Sequence, residues 1–468
     1  MKKSLIVALT FLASVTASAQ EGKDFVPPPV TPPAVFRGAE PSVDPKSFGD
    51  FKWFAIFKDP QLQDLIETAL QQNTDLQTAM ARIDVERAQL GITRSNQYPT
   101  FTAGAEETTT ELSQHNPNFY PGFEKRSTSV GEVLTNLLSF ELDIWGRLSS
   151  QTKAARAQLR ATEEDRRTIM TMVVSDVASG YFNLLELDAE MAIDQQTLKT
   201  RNDSLDIIKA RESGGLATML DVRQGEELVQ QAGLTITDTN RLIEQTENNI
   251  HLLLGELPGP VARSKSLADE GDAPVVPPGL TSELLLRRPD IRSAELNVEA
   301  QHFLIKSARA AYFPTITLTG FMGFQSSALY NLFTGGGFTG GVTPSLTTPI
   351  FNGGRLRSNV LLAEGNQRVA LVNYEKVILQ AFNDVSNALV QLARERELKV
   401  QEEQLVVTLK DRSSLAYLRY NGGVDTLLNA LDADRDLFSS QLAAAQARRN
   451  ELLALVQLYK ALGGGWQQ

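Results

Sequence analysis

The sequence predicts a mixed α and β membrane protein built as an internal tandem repeat, each copy joining long helices to one β-hairpin. Three observations carry that prediction. The first is the repeat itself: residues 211–218 read RESGGLAT and return as RYNGGVDT at 419–426, an offset of 208. The same offset carries Arg147 onto Arg355, Asp176 onto Asp384 and Gly255 onto Gly463, while Arg94 and Pro99 map onto Arg309 and Pro314 at 215. A fixed period means that each copy supplies one unit of a larger structure. The second is a proline-free helical stretch of about 66 residues in each copy, roughly 100 Å long at the α-helical rise and so several times the span of a globular core. The third is a change of period from 3.6 to 2 between the first and second helices of each copy, over segments of strand length.

Taken in order, Lys2 and Lys3, the apolar run Leu5–Leu12 and the small residues Ala17-Ser18-Ala19 read as a secretory signal peptide over residues 1–19, cleaved before Gln20. Residues 20–58, with Pro27-Pro28-Pro29 and Pro32-Pro33, form an extended N-terminal arm. Copy one occupies 59–256, a linker with five prolines 257–279, copy two 280–463, and a tail 464–468. Leu62, Leu65, Ile66, Ala69 and Leu70 share one helical face, so a single helix is expected from Gln61 to Gln97, ended by Pro99.

The strands follow, in hairpins at about 100–144 and 315–350. Leu134, Leu138, Phe140, Leu142 and Ile144 alternate with Thr135, Ser139, Glu141 and Asp143, with Asn136 and Leu137 breaking the pattern. Ile316 and Leu318 alternate with threonines, as do Val342, Leu346 and Ile350 with Thr343, Ser345 and Thr347. Residues Gln114–Gly122 and Gly335–Gly341 are the hairpin tips. One such strand on its own is better read as a half-buried strand on a soluble core; four, at equivalent places in an exported repeat, favour a transmembrane barrel.

The long helix of copy one runs from about Gly146 to Glu212. From Val173 to Ile208 it holds an unbroken alternation of steps of four and three, with Asp194 and Arg201 as polar exceptions, which is a coiled-coil seam. After Gly214-Gly215 a helix returns from Met219 to Leu254. Copy two repeats the set at Ser282–Ala311, Leu356–Tyr420 and Leu427–Leu462, so that two shorter helices stacked end to end match one long one. Four strands cannot close a barrel, and an open edge cannot face lipid, so the chain must assemble with itself. Two chains give eight strands filled by side chains; three give twelve and leave a lumen, continued by a helical tube of about 100 Å.

Composition narrows the partners. The net charge is −11, and loss of Lys2 and Lys3 leaves 43 basic against 56 acidic side chains, or −13, which argues against nucleic acid or an anionic membrane surface. No cysteine is present, so disulfides, thiolate metal sites and a lipobox anchor are excluded. The three histidines, His115, His251 and His302, lack ligand spacing, and no nucleophile elbow, P-loop or dinucleotide fingerprint stands in a suitable context. No enzymatic activity, cofactor or metal is expected.

Three segments and two turns carry a family resemblance: WFAIFKDPQL at 53–62, Arg287-Arg288-Pro289-Asp290-Ile291, Pro349-Ile350-Phe351-Asn352-Gly353-Gly354-Arg355, and the two Gly-Gly turns. In their order and spacing the chain resembles the TolC-like outer membrane efflux proteins, in the NodT-type branch that serves resistance-nodulation-division (RND) pumps. The resemblance implies a homotrimer with a twelve-stranded barrel in outer-membrane lipid and a periplasmic α-helical barrel, conducting small molecules such as drugs from an inner-membrane RND pump through a periplasmic adaptor. Many members of this branch are lipoproteins, whereas this sequence lacks the cysteine. An exit duct for type I protein secretion, or an exported coiled-coil spacer or adhesin, are the alternatives.

The resemblance also assigns residues. The turns Gly214-Gly215-Leu216 and Gly422-Gly423-Val424 become the tip where an adaptor docks, although an ordinary helix-hairpin turn explains the glycines as well. Asp425, Asn429, Asp432 and Asp436 are spaced four, three and four, so they share one helical face, a solvated stripe in most helices and a carboxylate ring in a trimer. The family's constriction maps onto Asp432, with Leu428 as an apolar plug and Asp436 one turn further on. Closed-state contacts map near Asp221 and Tyr420, and Asp425 stands where TolC carries a basic partner.

Overall fold

Residues Trp53–Ile56 form one helical turn, α1, and the chain then enters α2 (Pro60–Gln72) and α3 (Thr74–Ser95) where one helix over Gln61–Gln97 was expected. The computed structural model describes residues 36–37, 52–111, 113, 127–270 and 281–464. The expected signal peptide, most of the arm, the tip at 114–122, residues 271–279 of the linker and residues 465–468 lie outside the described residues.

The break falls at Asn73. Its Oδ1 accepts from the N–H groups of Asp75 (2.9 Å) and Leu76 (3.1 Å), capping α3, and its Nδ2 donates to the Leu253 carbonyl (2.8 Å). The second copy breaks at the equivalent place: α6 (Thr281–Arg287) gives way to α7 (Pro289–Ala310) at Arg288, 215 residues after Asn73. Proline lacks the N–H that would continue a helix and suits a first turn. Arg288 Nη1 donates to the Ala461 carbonyl (3.2 Å), 208 residues after Leu253. The single helix expected over Ser282–Ala311 is therefore also two, and in both copies the break residue clasps the end of the returning helix.

Strands β1 (Thr100–Glu111), β2 (Ser127–Leu142), β3 (Thr315–Ser326) and β4 (Phe338–Thr347) form one antiparallel sheet in that order. The β2–β3 pairing joins the two copies. Between Thr135 and Leu138 the register shifts, β2 taking three steps while β3 takes two from Met322 to Gly320. This bulge at Asn136–Leu137 accounts for the break in alternation and reverses the strand's phase. Leu134, expected on the apolar side with Phe140, is instead opposite Gly323 on the polar side, while Val133, Phe140 and Leu142 share a face with Ile316, Leu318, Met322 and Phe324. Phe338, Val342 and Leu346 of β4 continue that face. The other face carries Thr315, Thr317 and Thr319, matched to Thr347, Ser345 and Thr343. From Ile316 to Phe324 the apolar band measures about 20–25 Å once strand tilt is included, the height of a transmembrane barrel's lipid face.

Aromatic rings stand at both ends of the band, as expected at membrane interfaces. On the helix side Trp145 stacks on Phe313 with centroids 4.8 Å apart and donates its indole N–H to the Pro314 carbonyl (2.7 Å). At the other end Phe324 packs edge-on against Phe333 and Phe338.

The strands pass into helices at Gly146 and Gly354, both with positive φ (71° and 83°). Asp143 caps α4 (Arg147–Ser213) by accepting from the N–H groups of Leu148 and Ser149, and Arg147 forms a bidentate pair with Glu141. Helix α5 (Met219–Leu254) returns along α4; α8 (Arg355–Asn421) and α9 (Leu427–Ala461) repeat the arrangement. Nearer the strands the wall is α3, α4, α7 and α8; nearer the turns it is α5, α4, α9 and α8. Most of the α4 seam is buried, including both polar exceptions, while Gly180, Met191 and Leu198 are half-buried. Asp194 accepts from Thr239 (2.8 Å), and Arg201 meets Asp434 (3.4 Å) and the Leu228 carbonyl (3.0 Å).

The main apolar core lies midway, where α1, α2, the linker and the helix breaks wrap around α4 and α9. Asp59 organises it. This buried carboxylate caps α2 and accepts from Tyr181 Oη (2.9 Å) and Ser264 Oγ (2.5 Å), tying arm, long helix and linker together. Among the described residues no helix is long and apolar enough to cross a membrane.

Candidate gate at the helical tip

Both helix pairs end in the same turn. Gly215 and Gly423 take positive φ (74° and 73°), and the N–H groups of Leu216 and Val424 return to the Arg211 and Arg419 carbonyls (2.8 and 3.1 Å). Any other L-residue would be strained at the second glycine, and a Cβ there would meet nothing within 4 Å. Leu216 and Val424 project beside them, 75% and 68% exposed. The tip thus presents two bare backbone turns flanked by apolar side chains.

Behind the turns a second small core joins the copies: Leu205, Ile208 and Val222 pack with Tyr420, Leu427 and Ala430. Tyr420 is its hub, with the Arg211 guanidinium 4.5 Å above its ring and Arg211 Nη1 donating to its carbonyl (3.2 Å). Burial raises the Tyr420 phenol, Arg211 opposes the shift, and Asp221 adds to it. Asp221 and Tyr420 thus interact electrostatically, with the Arg211 guanidinium over the Tyr420 ring.

Asp221 has a second task. Its carboxylate accepts from the Thr218 N–H (2.7 Å) and Oγ1 (2.9 Å) while Thr218 Oγ1 accepts from the Asp221 N–H (3.3 Å), a complete capping box on α5. At the offset of 208 the same positions are Thr426 and Asn429, and there the box is missing. Asn429 donates instead to Asp425 (2.7 Å). The second tip is the less tightly capped of the two. Replacing Asp221 with Ala is expected to remove about 1 kcal/mol of helix-end stability, read as faster amide hydrogen exchange at residues 218–222 with little change in the α9 start.

Asn429, Asp432 and Asp436 form one accessible stripe on α9, beside Leu428, which is 58% exposed, whereas Asp425, expected on the same helical face, lies in the turn before the Thr426 cap. Each of the three aspartates has an arginine in its own chain. Arg419 Nε lies 3.0 Å from Asp425, Arg435 Nη2 3.2 Å from Asp432, and Arg412 Nη1 2.7 Å from Asp436, with Arg435 bridging at 3.7 Å. The Asp425 carboxyl is lowered by hydrogen bonds from Asn429, Arg419 and the Thr426 N–H. Arg435 was legible as an i+3 neighbour and Arg419 as the repeat partner of Arg211; Arg412, on the facing helix, has no local signal.

A sheet with one apolar and one hydroxyl-lined face, carried on a helical wall of about 100 Å that ends in two glycine turns, defines one protomer of a membrane channel. The sequence profile described as "Outer membrane efflux protein" matches residues 65–256 and 280–464. The chain is 38% identical over 412 residues to the solvent efflux pump outer membrane protein SrpC of Pseudomonas putida, covering 88% of this chain and 87% of that one. It is 34% identical over 474 residues to outer membrane protein OprJ of Pseudomonas aeruginosa, covering 99% and 96%. The open-state crystal structure of the Neisseria gonorrhoeae MtrE outer membrane channel superposes with a TM-score of 0.83 at 31% identity, covering 95% and 99%. The chain belongs to the outer membrane efflux protein family, and its activity is transport through an outer-membrane channel rather than catalysis.

Proposed function

We propose that three copies form the exit duct of a tripartite efflux system. β4 of each chain pairs with β1 of the next to close twelve strands, and twelve helices continue the duct into the periplasm. The observation that carries this reading is the sheet: its apolar and hydroxyl faces suit lipid and water, and both its edges, β1 and β4, lack strand partners among the described residues. The turns at Gly214-Gly215-Leu216 and Gly422-Gly423-Val424 receive a periplasmic adaptor, which links the duct to an inner-membrane RND pump that supplies the energy. Leu428, Asp432 and Asp436 form the closed constriction, the Tyr420 hub with Arg211 and Asp221 holds the helix pairs together, and Asp425, held by Arg419, completes the closed-state contacts. Relatives named for solvent and antibiotic efflux support small organic molecules as cargo.

Because the chain contains no cysteine, a single Val424→Cys thiol at the exposed tip is a unique attachment point. A thiol-reactive cross-linker there is expected to capture a periplasmic adaptor in cells, from outer-membrane fractions that hold a heat-modifiable trimer. A coiled-coil spacer would give neither the trimer nor channel activity in planar bilayers.

A further inference from the structure

The hydroxyl-lined face of the sheet carries one aromatic ring among the described strand residues, Phe321 of β3. It lies across Gly341 of β4: a Cβ added there would stand 3.1 Å from Phe321 Cε1 and 3.4 Å from Cζ. The ring's inner side is thus backed by bare backbone, and the residue remains 38% exposed on its other side. Thr319 and Thr343 flank it on the same face, and a hollow of about 490 Å³ opens over it between Thr100, Thr102 and Ser139. That volume suits one drug-sized molecule.

Charge is too distant to share such a guest. On this face Glu106 and Glu132 stand opposite each other four residues up β3 from Phe321, with Gln325 Nε2 on Glu132 (2.5 Å), and Glu141 stands opposite Thr317 four residues down, already paired with Arg147, each about 13 Å away. The hollow therefore offers a ring and hydroxyls within reach of one small molecule, and no ion. An exposed apolar ring in a water-filled lumen gains when another ring covers its free face, through removal of apolar surface and offset stacking.

We propose that Phe321 and its two symmetry copies form an aromatic collar in the barrel lumen that transiently holds planar aromatic solutes on their way out. The collar rests on the trimeric-duct reading above. Weak holding suits a conduit, where a guest must enter and also leave.

The test uses Thr343→Cys, which places a thiol on the lumen face beside the ring, with Met322→Cys on the lipid face as control. A charged, membrane-impermeant thiol reagent is applied outside intact cells, with indole as the probe. The Thr343→Cys thiol is expected to be modified and the Met322→Cys thiol spared, and indole is expected to slow the modification saturably. Adding Phe321→Thr should raise the half-protecting indole concentration by about 2- to 10-fold, the range that one aromatic pair contributes, while Phe321→Tyr retains protection. Each variant is first checked for the heat-resistant trimer. Modification without indole protection, or protection that survives Phe321→Thr, overturns the collar alone. A Thr343→Cys thiol that stays unmodified in a correctly assembled trimer overturns the lumen reading, and the collar with it.

Discussion

Replacing Gly323 with alanine is expected to abolish the assembled barrel. A Cβ on Gly323 would lie 2.1 Å from the Val133 carbonyl oxygen and 2.8 Å from the Leu134 Cα, both backbone atoms of the neighbouring strand. Flexible side chains could yield to such a group; a paired strand cannot. The cost therefore exceeds the roughly 1–3 kcal/mol of ordinary overpacking. The position is also critical, because among the described residues β2–β3 pairing is the only strand contact between the two copies, and it sits beside the bulge that sets β2's phase. Loss of register there would turn apolar side chains toward the lumen. Outer-membrane fractions of Gly323→Ala should contain no heat-modifiable trimer, whereas Gly104→Ala, whose added Cβ meets nothing within 4 Å, should assemble normally.

Replacing Glu186 with glutamine is expected to stabilise the helical wall at alkaline pH. Glu186 is 3% exposed on α4, with Arg449 Nη1 3.2 Å from its Oε2. Burial foremost, then the hydrogen bond and charge of Glu190, push its carboxyl up to about 8, against the opposing pull of Arg449. The sign follows from proton counting. Between the ordinary glutamate range near 4.5 and about 8 the folded chain holds a proton that the unfolded chain has released, so stability falls as pH rises through that window. Glu270, pushed up to about 7 by burial and by Asp59, adds to the same slope. For Glu186 the loss is on the order of 3–5 kcal/mol per protomer across the window. Glutamine keeps the shape and a donor but cannot ionise. Thermal unfolding of the purified protein, followed by helical circular dichroism, should give similar midpoints for the two proteins at pH 5 and a higher one for Glu186→Gln at pH 8.5. Parallel pH profiles would contradict this assignment.

Local signals in the sequence marked the elements well. The returning helix was expected at Met219–Leu254 and is found there, because glycine turns and a sustained 3.6 period are short-range features. The alternation around Phe140 and Leu142 likewise placed the strands. Three features escaped because their causes are distant in the chain. Asn73 breaks a helix that its neighbours would continue, since its side chain reaches the Leu253 carbonyl 180 residues away. The bulge at Asn136–Leu137 puts Leu134 on the lumen side, and only its pairing with β3 reveals that reversal. At the tip, the spacing exposed the aspartate stripe but not Arg412, which reaches Asp436 from the opposite helix. The asymmetry of the tips was legible in part: Asp425 and Asp432 belong to the second copy alone, and the structure adds that this copy also lacks the capping box of the first.

That asymmetry locates the proposed gate in the second copy, and the central claim is a duct closed by Leu428 and Asp432. Removing Leu428 takes away an apolar plug; removing Asp432 releases Arg435 and shifts the charge of the constriction toward positive. The most direct measurement is the single-channel conductance of purified trimers in planar bilayers, wild type beside Leu428→Ala/Asp432→Ala. A gated duct predicts a several-fold larger conductance in the double variant, with selectivity displaced toward anions. An unchanged conductance and selectivity, from variant trimers that assemble as wild type does, would contradict it.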